Sequence, residues 1–89
     1  WVGARLFRPR VLSGGFELNQ PALTTLGITR REHEVLGLLA AGRSNKEIAR
    51  QLNLSPNTIK THVARLYEKL EAVRRTDAIL RARELRLIP

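Results

Sequence analysis

The chain has 89 residues, which is room for one small domain with a short extension and excludes two packed domains. Apolar residues make up 43% of it and cysteine is absent, so a compact core must form without disulfides, and a disulfide-held secreted mini-protein is excluded. The net charge of +8 predicts attraction to a polyanion, most often a nucleic acid and less often an anionic membrane surface.

Membrane insertion is not expected from the hydropathy pattern. The longest uncharged apolar run covers residues 35–42 and is far shorter than the roughly 20 residues needed to cross a bilayer. The chain begins with Trp1 and contains no methionine, so we expect it to be a fragment of a longer protein.

Charge and pattern divide the chain near residue 28. Residues 1–28 have a net charge of +2 and are interrupted by Pro9, Gly14, Gly15 and Pro21. These residues break helical periodicity and predict a linker or N-terminal arm, with short extended pieces before Pro9 and after Gly14. Residues 29–89 have a net charge of +6 and follow helical periodicity almost throughout. The predicted fold is therefore all-α, a four-helix bundle preceded by an irregular arm.

Two capping boxes predict the first two helices. Thr29 with Glu32, and Ser44 with Glu47, have the spacing in which a hydroxyl and a carboxylate satisfy each other's main-chain N–H groups. We expect the first helix to end near Gly42 and the second near residue 52. Their predicted buried positions are Val35, Leu36, Leu39 and Ala40 in the first helix, and Ile48, Ala49 and Leu52 in the second.

Two further helices follow a predicted sharp turn at Asn53, a residue type that tolerates the left-handed conformation. Ser55 and Pro56 predict the start of the third helix, since a hydroxyl suits the N-cap and proline suits the first position. Thr76 and Asp77 predict the cap of the fourth helix. The predicted buried positions are Ile59, Val63, Leu66 and Leu70 in the third helix, and Ala78, Ile79, Ala82 and Leu85 in the fourth.

A short helix, a tight turn and an amphipathic helix over residues 44–63 form the plan of a helix-turn-helix, whose second helix enters the major groove. The third predicted helix begins with small polar residues that allow close approach to a sugar-phosphate wall. Lys60 and Arg65 project from its non-core side, and Lys46 lies on the preceding helix. Small helical bundles without a nucleic-acid role also contain such a helix pair, so the pattern alone is only moderately specific.

Several motifs in a fixed order make the assignment sharper. They are T-x-R-E-x-E-V-L at residues 29–36, S-N-K-E-I-A at 44–49, L-S-x-N-T-I-K-x-H-V at 54–63, K-L at 69–70 and R-T-x-A at 75–78. These residues closely resemble the LuxR/GerE-type DNA-binding domain of bacterial transcription regulators. The ending after residue 75 is most similar to the MalT-like, large ATP-binding branch of that family. Any ATP binding would belong to upstream domains outside this chain.

The resemblance implies a non-enzymatic domain that binds double-stranded DNA without a cofactor. Its third helix would read the major groove, and its fourth helix would pair two copies into a homodimer on DNA. A sensor domain would lie upstream in the same polypeptide, and the regulator would be cytoplasmic. The implied base-reading residues are Asn57, Lys60, Thr61, Ala64 and Arg65; the phosphate-binding residues are Ser44, Asn45, Lys46, Ser55, Thr58 and Lys69; and the dimerisation residues are Ile79, Leu80, Arg83 and Leu87.

Two positions are open to different interpretations. Ala64 stands where some relatives carry a long basic or polar side chain, so it can offer only a methyl contact, for instance to thymine. Leu80 and Leu87 are seven residues apart and would suit a dimer surface, although packing against residues 1–28 would explain them equally well.

The remaining polar residues predict structural roles. His33 is expected to face solvent and His62 to be partly buried, and two histidines without cysteine or suitably spaced carboxylates do not predict a metal site. Arg75 is interpreted first as a salt-bridge partner of Glu32 or Glu71 and second as a backbone contact. Arg81, Arg83 and Arg86 are expected to form a solvated face, and the carboxylates form no catalytic set.

Two other function classes remain open at this point. A basic helical RNA-binding module would satisfy the charge, but single-strand RNA readers generally use exposed aromatic residues, which are few here. A helix-turn-helix retained only for protein interaction would not need Lys46, Thr58 and Lys60. Salt-sensitive binding to duplex DNA would distinguish DNA binding from this last alternative.

Overall fold

The computed structural model describes residues 15–89, and the predicted all-α fold is confirmed there. Its helices are α1 (Gln20–Leu26), α2 (Arg30–Ala40), α3 (Asn45–Leu52), α4 (Pro56–Leu70) and α5 (Arg75–Glu84). Helices α2 to α5 are the four predicted from the sequence. Within residues 15–89, no helix combines the length and apolar character that a membrane span requires.

Helix α4 is the centre of the bundle, because it packs against α2, α3 and α5, while α2 also packs against α3 and α5. Its predicted apolar stripe is buried, and Ile59 and Leu66 are fully inaccessible. The other side of α4 is exposed, so the core fixes which side chains of this helix face outwards. The buried apolar residues are Leu23, Ile28, Val35, Leu36, Leu39, Ile48, Ala49, Ile59, Val63, Leu66, Leu70, Ala78, Ala82, Leu87 and Ile88.

Both predicted capping boxes are present. In α2, the Glu32 N–H donates to Thr29 Oγ1 at 3.1 Å and the Thr29 N–H donates to Glu32 Oε1 at 3.0 Å. In α3, the Glu47 N–H donates to Ser44 Oγ at 3.1 Å and the Ser44 N–H donates to Glu47 Oε1 at 2.8 Å. Each box satisfies two N–H groups that a helix start otherwise leaves without a partner.

Helix α1 was not predicted, since Pro21 was interpreted as a break in helical periodicity. Pro21 instead lies in the first turn of α1, where its missing N–H would have no intrahelical partner. Asn19 caps the helix by accepting from the Ala22 N–H at 3.2 Å. Leu23 of α1 is buried in the same core as the other helices, so this part of the predicted arm packs on the bundle.

The C-terminal residues pack back onto the start of the fold. Asn19 donates from its N–H to the Arg86 carbonyl at 3.0 Å and from Nδ2 to the Leu85 carbonyl at 3.1 Å. His33 Nε2 donates to the Leu87 carbonyl at 2.7 Å. The prediction that His33 faces solvent is therefore wrong, because the turn that follows α5 brings a main-chain acceptor to its half-buried ring.

The predicted cap of α5 is also wrong. The helix begins at Arg75, one residue before Thr76, and Arg74 is the N-cap without a side-chain hydrogen bond. Asp77 instead lies in the first turn, where its carboxylate is 3.6 Å from the Arg74 guanidinium. An acidic group at this position is favourable because it faces the positive end of the helix dipole.

One ion pair joins three helices. Lys69 Nζ, at the end of α4, donates to Glu32 Oε1 at 2.6 Å and to the carbonyl of Gly27, the C-cap of α1, at 2.7 Å. Glu32 is only 2% exposed. Burial raises the pKa of Glu32, but the hydrogen bonds from Lys69 and from the Thr29 N–H together outweigh burial, so its pKa lies below the ordinary value of 4.5. The carboxylate is therefore the stable form at neutral pH.

We expect Glu32→Gln to lower the free energy of unfolding by about 1–3 kcal/mol at neutral pH, because it leaves the partly buried Lys69 ammonium without its counter-charge. Since the pKa of Glu32 is lowered by folding, the carboxylate stabilises the fold above its unfolded pKa. That stabilisation is lost as the pH falls through the folded value. The difference between the two proteins should shrink below about pH 4.5 in urea unfolding followed by circular dichroism.

Glu34→Gln is the matched control, since Glu34 lies two residues away on the same helix and its side chain is 45% exposed beside Arg31. It should change the unfolding free energy by less than about 0.5 kcal/mol. Equal effects of the two substitutions at neutral pH would contradict a special role for the Glu32–Lys69 pair.

We expect Asn53→Ala to lower the free energy of unfolding by roughly 1 kcal/mol, because Asn53 has a φ of 57° and alanine adopts the left-handed conformation less readily. Asn53→Gly is the control, as glycine has no Cβ to oppose this conformation. Thermal or urea unfolding should rank alanine clearly below both asparagine and glycine. An alanine variant as stable as the other two would show that this turn carries no strain.

Candidate nucleic-acid interface

A tight turn sets the geometry between α3 and α4. Asn53 ends α3 in the left-handed conformation, as predicted, and the Leu54 N–H donates to the Ala49 carbonyl at 2.9 Å. Ser55 follows at once as the N-cap of α4, and its Oγ accepts from the Thr58 N–H at 3.1 Å. The turn leaves no free linker between the helices, so the packing of α3 determines the direction of α4.

The exposed side of α4 brings together all five predicted base-reading residues. At 100° per residue they lie on the side of the helix away from the buried stripe of Ile59, Val63, Leu66 and Leu70. Asn57 and Thr61 form one pair separated by a turn, and Lys60 and Ala64 form another, with Arg65 beside them. The exposed residues are Asn57, Lys60, Thr61, Ala64 and Arg65.

The first turn of α4 has a small polar surface whose side chains are held by local hydrogen bonds. Ser55 Oγ and Thr58 Oγ1 are 2.8 Å apart, and Thr61 Oγ1 donates to the Asn57 carbonyl at 3.1 Å. Ser55 is exposed and Thr58 is half-buried. Because this turn contains no acidic residue, the positive end of the helix dipole is not neutralised by the helix itself.

The start of α3 provides a second polar edge. The predicted phosphate-binding residues Ser44, Asn45 and Lys46 are all exposed there. Hydrogen bonds from the Ser44 main chain and side chain lower the pKa of Glu47, the only acidic residue in this turn. Its carboxylate is therefore ionised at the cap and offsets part of the positive end of the α3 dipole, so attraction of an anion to this edge depends on the exposed Lys46.

Charge on these two edges is not neutralised by internal ion pairs. The pairs found between residues 15 and 89 are Arg31–Glu34, Lys69–Glu32, Arg74–Asp77 and Arg81–Glu71. None of them includes Lys46, Lys60 or Arg65, so these three cations face solvent. The sequence interpretation passed over Arg43 and Arg50, which are exposed and close enough to favour the charged form of Glu47. The four-residue spacing of Lys46 and Arg50 on α3 was the available signal.

Lys69, which was predicted to bind phosphate, does not lie on the exposed surface formed by the starts of α3 and α4. Two of its three N–H donors are used by Glu32 and by the Gly27 carbonyl, inside the domain. On the helical wheel it lies half a turn from Lys60, facing the junction of α1 and α2. The structure therefore assigns Lys69 to the ion pair that holds the bundle together.

The predicted dimerisation residues do not lie on one surface. Leu87 is 1% exposed and belongs to the core, so its assignment to a dimer surface is wrong: the chain turns inward after α5. Leu80 is 60% exposed, Ile79 is half-buried, and Arg83 Nε donates to the Pro89 carbonyl at 3.2 Å. Val73, which the sequence interpretation did not select, is 83% exposed in the turn before α5.

Two other side chains have partners that the sequence did not reveal, and the Nδ1 of a third has none among residues 15–89. Arg75 forms no salt bridge with Glu32 or Glu71, and its Nη2 instead donates to the carbonyls of Leu39 and Arg43 at 2.7 Å each. Arg81 is exposed as expected, but its Nε donates to the Leu70 carbonyl at 3.2 Å. His62 is partly buried, as predicted, with an Nδ1 that has no hydrogen-bond partner.

Comparisons with known proteins agree on one family. The model of the GerE family, bacterial regulatory proteins of the luxR family, matches residues 27–82. The HTH-type transcriptional regulator MalT of Klebsiella pneumoniae subsp. pneumoniae is 43% identical over 76% of this chain. MalT of Vibrio campbellii is 46% identical over 75% of the chain. In each case the match spans 8% of the relative.

A solved structure extends the likeness to the fold. The crystal structure of the response regulator ChrA, from a heme-sensing two-component system, matches with a TM-score of 0.67 and 34% identity. The match covers 98% of this chain and 36% of that chain. The predicted resemblance, including the likeness to MalT, is confirmed. The chain therefore belongs to the LuxR (GerE) family of bacterial regulatory proteins, and residues 27–82 contain the helix-turn-helix domain of that family.

Proposed function

We propose that residues 29–89 bind double-stranded DNA sequence-specifically, as the C-terminal output domain of a cytoplasmic bacterial transcription regulator. Helix α4 enters the major groove, and an upstream domain of the same polypeptide senses the signal. Residues 1–28 form the arm that leads into this domain, and α1, which belongs to the arm, packs on the domain. The observation that carries the proposal is the exposed polar side of α4, which has unpaired cations and lies opposite a fully buried stripe.

The side chains of α4 suit a major groove, which is about 12 Å wide and admits one helix. Lys60 and Arg65 can donate to the O6 and N7 acceptors of guanine, and the Asn57 amide can pair with adenine. Ala64 adds no hydrogen-bonding group and leaves a methyl surface for thymine. The combination predicts that specificity depends on a few positions of the site rather than on the overall charge.

Phosphate contacts come from the two helix starts that flank the groove. Ser44, Asn45 and Lys46 lie at the start of α3, where Lys46 supplies the positive charge, and Ser55 and Thr58 lie at the positive end of the α4 dipole. Such contacts fix the register of the domain on the duplex without reading sequence. They also make binding strongly salt-dependent, as counterions are released from the DNA.

Pairing of two copies on DNA involves α5. Leu80 is exposed on this helix with Ile79 and Arg83 nearby, whereas the buried Leu87 is left out of the surface. Two domains on adjacent half-sites gain affinity because the second binding event occurs at a high effective concentration. The isolated chain should therefore bind one half-site weakly and two half-sites much more tightly.

We expect Lys60→Ala to weaken specific binding by about 1–3 kcal/mol, because it removes a base contact in the groove. The binding site is first recovered by selection from random duplex DNA at a stated salt concentration. Fluorescence anisotropy then compares that duplex with one of scrambled sequence. The loss should be larger on the selected duplex, and preference at one base position should relax.

Arg31→Ala is the control for Lys60→Ala, since Arg31 is an exposed cation on α2, outside the helix-turn-helix. It should leave the ratio of specific to non-specific binding unchanged. Undiminished affinity of the Lys60 variant for the selected duplex would remove Lys60 from the reading surface. Failure of the wild-type chain to bind duplex DNA in a salt-dependent way would favour the protein-interaction alternative.

We expect Leu80→Glu to abolish cooperative binding to a duplex with two half-sites, because it places a charge on the exposed apolar surface of α5. Affinity for a single half-site should not change, since Leu80 is exposed on α5 and is not among the residues of α4 proposed to read the DNA. Electrophoretic mobility shift with one-site and two-site duplexes measures both quantities. Cooperativity that survives this substitution would place the dimer contact elsewhere than on α5.

A further inference from the structure

Arg75 links the start of α5 to the turn between α2 and α3. Its Nη2 donates to the carbonyl of Leu39, in the last turn of α2, and to the carbonyl of Arg43, just before the N-cap of α3. Both distances are 2.7 Å. A guanidinium at the end of α2 also lies at the negative end of that helix dipole, which strengthens these bonds.

The peptide unit between Arg43 and Ser44 is held from both sides. Its carbonyl accepts from Arg75, and its N–H, which belongs to Ser44, donates to Glu47 Oε1 at 2.8 Å. The turn before it is closed by the Gly42 N–H on the Leu39 carbonyl and by the Arg43 N–H on the Leu38 carbonyl. Residues 41–47 are all exposed, so packing contributes little to their position.

We propose that Arg75 is a positioning residue for the DNA phosphate contacts made by the start of α3. Arg75 itself does not touch the DNA; it orients the Arg43–Ser44 peptide and, through it, Ser44, Asn45 and Lys46. Because Arg75 belongs to α5, its hydrogen bonds also make the phosphate contacts of α3 depend on the position of α5, the helix proposed to pair two copies. The inference rests on the proposed DNA binding and assigns a role that lies outside the recognition helix.

A positioning role for Arg75 predicts an effect on DNA affinity that a loss of stability alone would not produce. If Arg75 orients the start of α3, then removing Arg75 should already lose part of what Lys46 contributes. The two substitutions should then be less than multiplicative in their effects on affinity. Lys60 lies on α4, which is held by the core, so its contribution should be independent of Arg75.

The test is a double-substitution cycle on DNA affinity, using a duplex selected from random sequence and the chains Arg75→Gln, Lys46→Ala and both together. We expect the combined loss to fall short of the product of the single losses by a factor of about two or more. The negative slope of log affinity against log salt concentration should become shallower with Lys46→Ala in the wild-type chain but should change little in the Arg75→Gln background. The cycle of Arg75→Gln with Lys60→Ala should be multiplicative.

Arg74→Gln is the matched control, since Arg74 is the neighbouring arginine, 75% exposed, and paired only with Asp77 at 3.6 Å. It should show no coupling to Lys46. Circular dichroism verifies that each variant is folded; if Arg75→Gln is not, the more conservative Arg75→Lys replaces it in the cycle. Multiplicative effects of Arg75 and Lys46 would overturn the inference. If Lys46→Ala leaves DNA affinity unchanged even in the wild-type chain, the proposed phosphate contact of Lys46 is overturned instead.

Discussion

The Lys69–Glu32 ion pair holds the arrangement on which the rest of the structure depends. One ammonium binds the capping carboxylate of α2 and the C-cap carbonyl of α1, while its own stem belongs to the last turn of α4. Truncating either partner would leave a buried or half-buried charge without compensation, which is why such a pair determines geometry even where its net contribution to stability is modest. The end of α4 is thereby fixed to the start of α2.

The beginning of α4 is fixed by a different device. The left-handed Asn53, the buried Ile48 and Ala49 and the Ser55 cap place α4 directly against α3 without slack. With both ends held and the apolar stripe buried, the outward side of α4 has one orientation only. A recognition surface benefits from this rigidity, since binding then orders few additional side chains. The hydrogen bonds of Arg75 fix the start of α3 in the same way, where residues 41–47 are exposed and make few packing contacts.

Local signals in the sequence predicted most of the fold. The two capping boxes, the Ser55–Pro56 start and the buried stripe of α4 are all present, because each depends on neighbours three or four residues apart. Predictions failed where a distant partner decides the outcome. His33 is half-buried because it donates to the Leu87 carbonyl. The burial of Leu23 stabilises a helix around Pro21. Arg75 donates to main-chain carbonyls rather than to a carboxylate. The exposed residues of α4 were predictable because helical period fixes them, whereas the ion pair of Lys69 was not, because its partner Glu32 lies 37 residues away.

The outward side of α4, together with the start of α3, is proposed to contact the DNA. Chemical-shift mapping of the backbone amides by NMR, with a selected duplex added stepwise at physiological salt, tests it most directly. The largest shifts are expected at residues 44–46 and 57–65, with smaller changes on α1 and the outer side of α2. Shifts centred on α1 or the outer side of α2, with α4 unaffected, would contradict it.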